Sequence, residues 1–192
     1  MPQIKGVFTD KGREWFSRIM ARQITASDGI NFFRIGEGGY RVLPTLAKVP
    51  VDPRERITRN GLVAARGVKG DLTIDPDTAA PGDIISVSIS EVPDANTGLF
   101  FVQKDLIPAD LVWTQPSASL SRLEISCTLL PPEANKTFNS QGGLSPKLVE
   151  IGVFAVEGTD LFMVGYGTFA EQVKLVGQTM TNKVILDLRR PV

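Results

Sequence analysis

Four groups of residues in this chain have side chains that chemistry uses, and the spacing of each limits what it can do. Gly36-Glu37-Gly38-Gly39 is the first. Neighbouring glycines let backbone N–H groups close around a phosphate. A P-loop, however, needs a lysine and a hydroxyl after its last glycine, and a dinucleotide loop needs three glycines at set spacing before a helix. Tyr40 and Arg41 follow here, with Pro44 close behind, so the run reads as a sharp turn after a strand. The second group is the carboxylates Asp71, Asp75, Asp77, Asp83 and Glu91. A facing pair of acids can hydrolyse a glycosidic bond without histidine, but these lie beside turn residues, where acids cap and solvate. Third, Asp75-Pro76-Asp77 lacks the spacing of an EF-hand calcium loop. Fourth, Arg54, Arg56, Arg59, Arg66 and Lys69 form a loosely basic stretch, diluted by Glu55. It has none of the interleaved aromatics of a nucleic-acid platform and reads as a solvated strand-and-loop surface, with a charged rim of a protein interface as the alternative.

The chain of 192 residues contains no histidine and a single cysteine, Cys127. Serine and cysteine triads, most zinc sites and most proton relays near neutral pH lean on imidazole. One cysteine permits neither an intrachain disulfide nor a thiolate cluster, and Cys127 lies among alternating apolar residues, as a buried inert thiol does. These counts assign no catalytic residue, no cofactor and no metal. Twenty-one basic residues balance twenty-one acidic ones, so no net field favours nucleic acid or a membrane surface. No apolar run reaches the length of a membrane span, and residues 1–7 show no cleavage signal, so the expectation is a protein made and kept in a cytosolic type of compartment, or in a particle assembled there.

One helix and many strands would have to position whatever the chain does. Thr9 or Asp10 can cap a helix over about residues 10–22, with Trp15, Phe16, Ile19 and Met20 on one face as its apolar seam. Residues 30–35 read as a strand. Pro44, Pro50 and Pro53 make the next stretch a poor candidate for regular structure, and residues 57–63 read as a strand broken by an Asn60-Gly61 turn. Ile85, Val87 and Ile89 alternate with serines, and Leu123, Ile125, Cys127 and Leu129 alternate with polar residues, as strands wet on one face do. Residues 99–104 are a further candidate. Residues 148–154 and 161–166 flank Glu157-Gly158-Thr159-Asp160 as a hairpin, and residues 183–188 form a last strand. The expectation is a mainly β (α+β) fold. It is an antiparallel β-sandwich or barrel with one N-terminal α-helix packed on it, and residues 1–192 form one domain with a β-rich remainder over 30–190.

Two stretches carry a resemblance. Phe8-Thr9-Asp10-Lys11-Gly12-Arg13, the helix, and then the run FFRIGEGG from Phe32 to Gly39 form the first. The second is Gln141-Gly142-Gly143, then Leu148-Val149-Glu150-Ile151-Gly152-Val153-Phe154, Glu157-Gly158-Thr159 and Leu161-Phe162-Met163-Val164-Gly165-Tyr166. In this order they resemble the particle-proximal N-terminal anchoring domain of the phage tail-collar fibre family. That domain begins with a threonine-led cap, a glycine, a helix, a strand and a "GDGG"-like turn, and later carries a "GG…REIGLFDEDGTLIAVG" segment. Glu37 stands in place of the family's aspartate, residues 147–149 differ from the usual run, and no fibre shaft follows within the chain.

The resemblance implies a single virion-anchoring domain: a structural adaptor of a bacteriophage tail, baseplate or neck, or of a related contractile particle. It would be made in the host bacterial cytoplasm, would dock a fibre or appendage onto other virion proteins, and would form a homo-oligomer, a trimer where it follows the family's fibres. A receptor- or glycan-binding β-module of the same particle is the alternative, and a carboxylate-based glycan hydrolase the second. Exposed aromatics separate the first two, because sugars stack on aromatic faces. For docking, the sequence offers an arm from Pro131 to Lys147, about 17 residues, beyond the 12–15 at which structureless loops become uncommon. Phe138 and Leu144 are its large apolar side chains, beside Gly142 and Gly143. Phe138 either anchors a partner or folds back on its own domain, and loop position alone leaves both open.

Overall fold

The computed structural model describes residues 3–21, 29–69, 84–86, 92–134, 147–175 and 177–189. In chain order the strands are β1 (Gln3–Lys5), β2 (Val7–Phe8), β3 (Ile30–Gly36), β4 (Tyr40–Val42), β5 (Lys48–Pro50), β6 (Ala64–Lys69), β7 (Ile84–Ser86) and β8 (Asn96–Asp105). They continue as β9 (Leu111–Ser117), β10 (Leu120–Leu129), β11 (Lys147–Glu157), β12 (Asp160–Val173) and β13 (Met180–Arg189). The helix α1 (Asp10–Met20) lies between β2 and β3.

Three sheets result. One has four strands in the order β1-β13-β10-β9, the second has seven in the order β2-β12-β11-β3-β8-β6-β7, and the third is the ribbon β4-β5. The two large sheets share a core. Ile4, Ile125, Cys127, Val184 and Leu186 from the first meet Phe33, Ile35, Val102, Ile151, Val153 and Val164 from the second, and Trp15 of α1 joins them. Among the described residues both large sheets end in edge strands and do not close into a barrel. The seven-stranded sheet is buried on its far side as well, where Phe32, Phe101, Phe154, Met163 and Tyr166 pack with Leu62 and Ala64. Burial on both faces explains why Leu148–Phe154 carries apolar residues on both faces, interrupted only by Glu150 and Gly152, rather than an alternation.

The structure departs from the sequence expectation at several points. Pairing is antiparallel except for β1 with β13 and β6 with β8, which are parallel. The proline-rich stretch forms the β4-β5 ribbon, with Pro50 at the end of β5, where a missing N–H costs least. Residues 57–63 form no strand; they follow a short 3₁₀ turn over Pro53–Arg56. Asn60-Gly61 makes no hairpin because Asn60 is occupied elsewhere. Its carboxamide imitates a strand, donating to the Leu161 carbonyl at 2.7 Å and accepting from the Met163 N–H at 2.8 Å. The helix stands as expected over Asp10–Met20, but only part of its apolar stripe is seam: Trp15 is buried and Ile19 packs on the core, while Phe16 and Met20 are exposed.

Candidate functional site

The residues of the two resembling stretches converge on β12. Thr9 caps α1 by accepting from the Gly12 N–H at 3.0 Å, and its hydroxyl donates to the Met163 carbonyl. Its own N–H donates to the Val164 carbonyl at 3.2 Å. Helix and strand then touch with no side chain between them, since a Cβ at Gly12 would lie 2.2 Å from the Val164 oxygen. One threonine and one glycine thus fix where the helix begins and how near it lies. With Asn60 on Leu161 and Met163, and β2 on Gly165 and Tyr166, the outer edge of β12 is closed over its first half by three different devices.

β3, β11 and β12 are neighbours in the sheet, so the Gly36–Gly39 turn, Glu150 and Tyr166 meet. Glu150 is fully buried and accepts three hydrogen bonds: from the Val63 N–H at 3.1 Å, the Ala64 N–H at 2.9 Å and the Tyr166 hydroxyl at 2.9 Å. Burial pushes its carboxyl above the usual range, while the Ala64 and Val63 amides and the Arg56 charge pull it back. Tyr166 is pushed well up by its own burial and by the adjacent Glu150. Arg56 is nearly as buried; its guanidinium lies 5.5 Å from the Tyr166 ring centre, pairs with Asp94 and donates to the Gly61 carbonyl at 3.0 Å. Gly38 and Gly39 admit the carboxylate: a Cβ on Gly38 would fall 2.3 Å from Glu150 Oε1, and Gly39, with φ +79°, lies against Glu150 and the Tyr166 hydroxyl. The turn therefore serves a buried carboxylate of its own chain.

This polar cluster holds the base of the ribbon. Val51 N–H donates to the Gly39 carbonyl at 2.9 Å, and the Thr168 hydroxyl donates to the Val51 carbonyl at 2.7 Å. Glu37 beside it is also buried, one carboxylate oxygen lacking any partner. Burial pushes its carboxyl up, and the backbone at Phe100 and Lys147 partly offsets that.

The loosely basic stretch departs from a solvated surface chiefly at Arg56, while Arg54 is exposed and Arg59 and Arg66 are half-buried. Arg56 is buried, Arg59 reaches Asp94 at 3.6 Å, Arg54 pairs with Asp52, and the Arg66 guanidinium lies over the Phe100 ring. Cys127 is buried and its thiol is pushed up by desolvation, as the alternation around it suggested. Phe138, Leu144, Gly142 and Gly143 lie outside the described residues, as do Asp71, Asp75, Asp77, Asp83 and Glu91. The arm's first residues are described, and Glu133 fixes them by accepting from Lys104 at 2.8 Å and from the Leu130 N–H at 2.6 Å. Among the described residues no three His, Cys, Asp or Glu side chains gather to hold a metal, and no described helix is long and apolar enough to cross a membrane.

Two surfaces remain that sequence reasoning did not single out. An open groove of about 750 Å³ runs beside α1, lined by Val7, Phe8, Phe16, Ile57 and Leu188, with Arg13 at its rim. Leu111 to Ser117 was not read as a strand, yet it forms β9 at a sheet edge, where Val112 and Trp113 are exposed.

Comparison of the chain with protein-family models, with curated proteins and with solved structures returns no match.

Proposed function

We propose that this protein is a structural adaptor of a bacteriophage tail, baseplate or neck, or of a related contractile particle, and that it docks a fibre or appendage by protein–protein contacts. One observation carries the reading. The described residues that resemble the tail-collar fibre family run from Phe8 to Tyr166, and several of them hold the helix and the buried cluster of one sheet. Thr9 and Gly12 seat the helix on β12, while Gly38, Gly39, Glu150 and Tyr166 build one buried cluster.

The site chemistry suits a docking role. The buried carboxylates Glu37, Glu133 and Glu150 are sunk into backbone and side-chain contacts that hold loops. Exposed apolar side chains gather where a partner could cover them, along the groove at Phe16 and on the edge at Trp113. Burying such side chains supplies interface energy, and aromatic residues are over-represented among the anchors. Partners would be other virion proteins, and the location the virion.

The test is to assemble particles with and without this chain. Density for the protein at the root of a fibre or appendage, together with loss of that appendage in its absence, is the expected result. Purified particles that lack the chain, or that keep every appendage without it, would overturn the proposal.

A further inference from the structure

The edges of the two large sheets are treated unequally. The outer edge of β12 is closed by Thr9, by the Asn60 carboxamide and by β2. The strand β9 is different: it pairs with β10 on one side, and among the described residues no strand pairs with the other. Open edges normally carry a charged guard, a proline or a cover, because a row of free N–H and C=O groups templates pairing with another chain. β9 has no charge. From Leu111 to Ser121 there is neither an acid nor a base, and Pro116 lies past the regular pairing with β10, beyond Thr114. Leu111 to Thr114 pair regularly with β10, and the register shifts only beyond them, at Gln115 and Pro116.

The side chains on this edge point the same way. Trp113 is 59% exposed, Val112 47% and nearby Ile107 60%. Trp113 lies directly across from Leu123 on β10, a residue whose side chain packs against the core. The tryptophan therefore belongs to the core-facing row of the four-stranded sheet, at a point where little covers that row.

We propose that β9 is a self-pairing edge, through which two copies of this chain join antiparallel over Leu111–Gln115 about a two-fold axis near Trp113. The occupant is a second copy because the strand complements itself chemically. With no charge in the run, a copy laid antiparallel on itself meets no like-charge pair, and two molecules of zero formal charge have no net repulsion to overcome. A lysine-guarded edge would forbid this contact. The pairing turns the two four-stranded sheets into one continuous sheet and sets the two Trp113 rings on the same face as a cross-strand aromatic pair. The contact is isologous, so it gives dimers; a trimer would need a different, heterologous surface. It relies only on the sheet edge and stands independently of the adaptor reading.

Sedimentation velocity of the purified chain across a concentration series, combined with amide hydrogen exchange, tests it. The expected result is a monomer–dimer equilibrium in the micromolar range, since so short an edge belongs with small, transient interfaces. The amides of Val112–Gln115 that face away from β10 should gain protection as concentration rises. Trp113→Lys sets two ammonium groups across the axis at an exposed position and should leave a monomer whose melting temperature is unchanged. A second variant, Gln115→Pro, removes one strand N–H without adding charge and should weaken the dimer several-fold. A wild-type chain that stays monomeric, a trimer, a dimer that survives Trp113→Lys, or association without protection of β9 amides would each overturn the proposal.

Discussion

Gly12 and Val164 touch backbone to backbone, so closely that a Cβ on the glycine would overlap the Val164 carbonyl. Glycine inside a helix ordinarily costs about 0.5–1 kcal/mol relative to alanine. Here the sign should reverse: Gly12→Ala gains helix propensity but pushes α1 off β12, and overpacking of this kind costs roughly 1–3 kcal/mol. Chemical denaturation should place the midpoint below that of the parent; an equal or higher midpoint would show that the helix can shift without loss.

Trp15 and Phe16 are adjacent on the helix yet should respond differently. Trp15→Ala empties a core position and should cost about 3–5 kcal/mol. Phe16, 42% exposed in the groove, should lose under about 1 kcal/mol on the same change. Melting curves of the two variants compare them directly. Similar losses would mean that the groove is filled in the isolated chain.

Glu150→Ala leaves two amides and a tyrosine hydroxyl without an acceptor, while Arg56 keeps its ion pair with Asp94. At about 1–3 kcal/mol for each stranded buried group, a loss of several kcal/mol is expected. Tyr166→Phe removes one bond and leaves the carboxylate its backbone donors, so it should cost only about 1–2 kcal/mol. Equilibrium unfolding of both variants is the measurement, and the reverse ranking would show that the tyrosine, not the carboxylate, holds the ribbon.

Glu37 makes stability depend on pH in a direction opposite to an ordinary paired acid. Its folded pKa is raised by burial, so the native state holds a proton that the unfolded chain releases. Its contribution is fully present below the unfolded value of about 4.5 and is lost as pH rises through the folded value. Glu37→Gln should therefore gain on the parent as pH increases and lose that advantage near pH 4.5. Parallel melting curves for the two proteins at every pH would remove Glu37 from the account.

Strands with a period were legible in the sequence. The alternation at Leu123–Leu129, the apolar run at Leu148–Phe154 and the Gly158 turn lie in β10, β11 and the β11-β12 hairpin. β9 was missed because Leu111 alone of its residues packs on the core, while Val112 and Trp113 on opposite faces are both apolar and exposed, which hides any alternation. The β4-β5 ribbon was missed because proline counts against a strand, except at an end. The polar cluster could have been suspected from Glu150 alone, a carboxylate set among valine, isoleucine and leucine where an exposed acid has no place. Its partners could not, because the Val63 and Ala64 amides and Arg56 are brought to β11 only by the path of the chain.

The pairing of β1 with β13 bears on how the molecule comes into being. Gln3 is matched to Lys183, 180 positions later, and at Gly6, whose N–H donates to the Ile185 carbonyl at 3.0 Å, the chain leaves one sheet for the other. A growing chain thus holds its first strand without a partner until β13 has left the ribosome. Closure of so long a loop is slow, and the waiting segment exposes apolar surface in the meantime. The two sheets are laced together only once β13 is in place, so a truncation that removes β13 should leave β1 unseated while β2 keeps its pairing with β12.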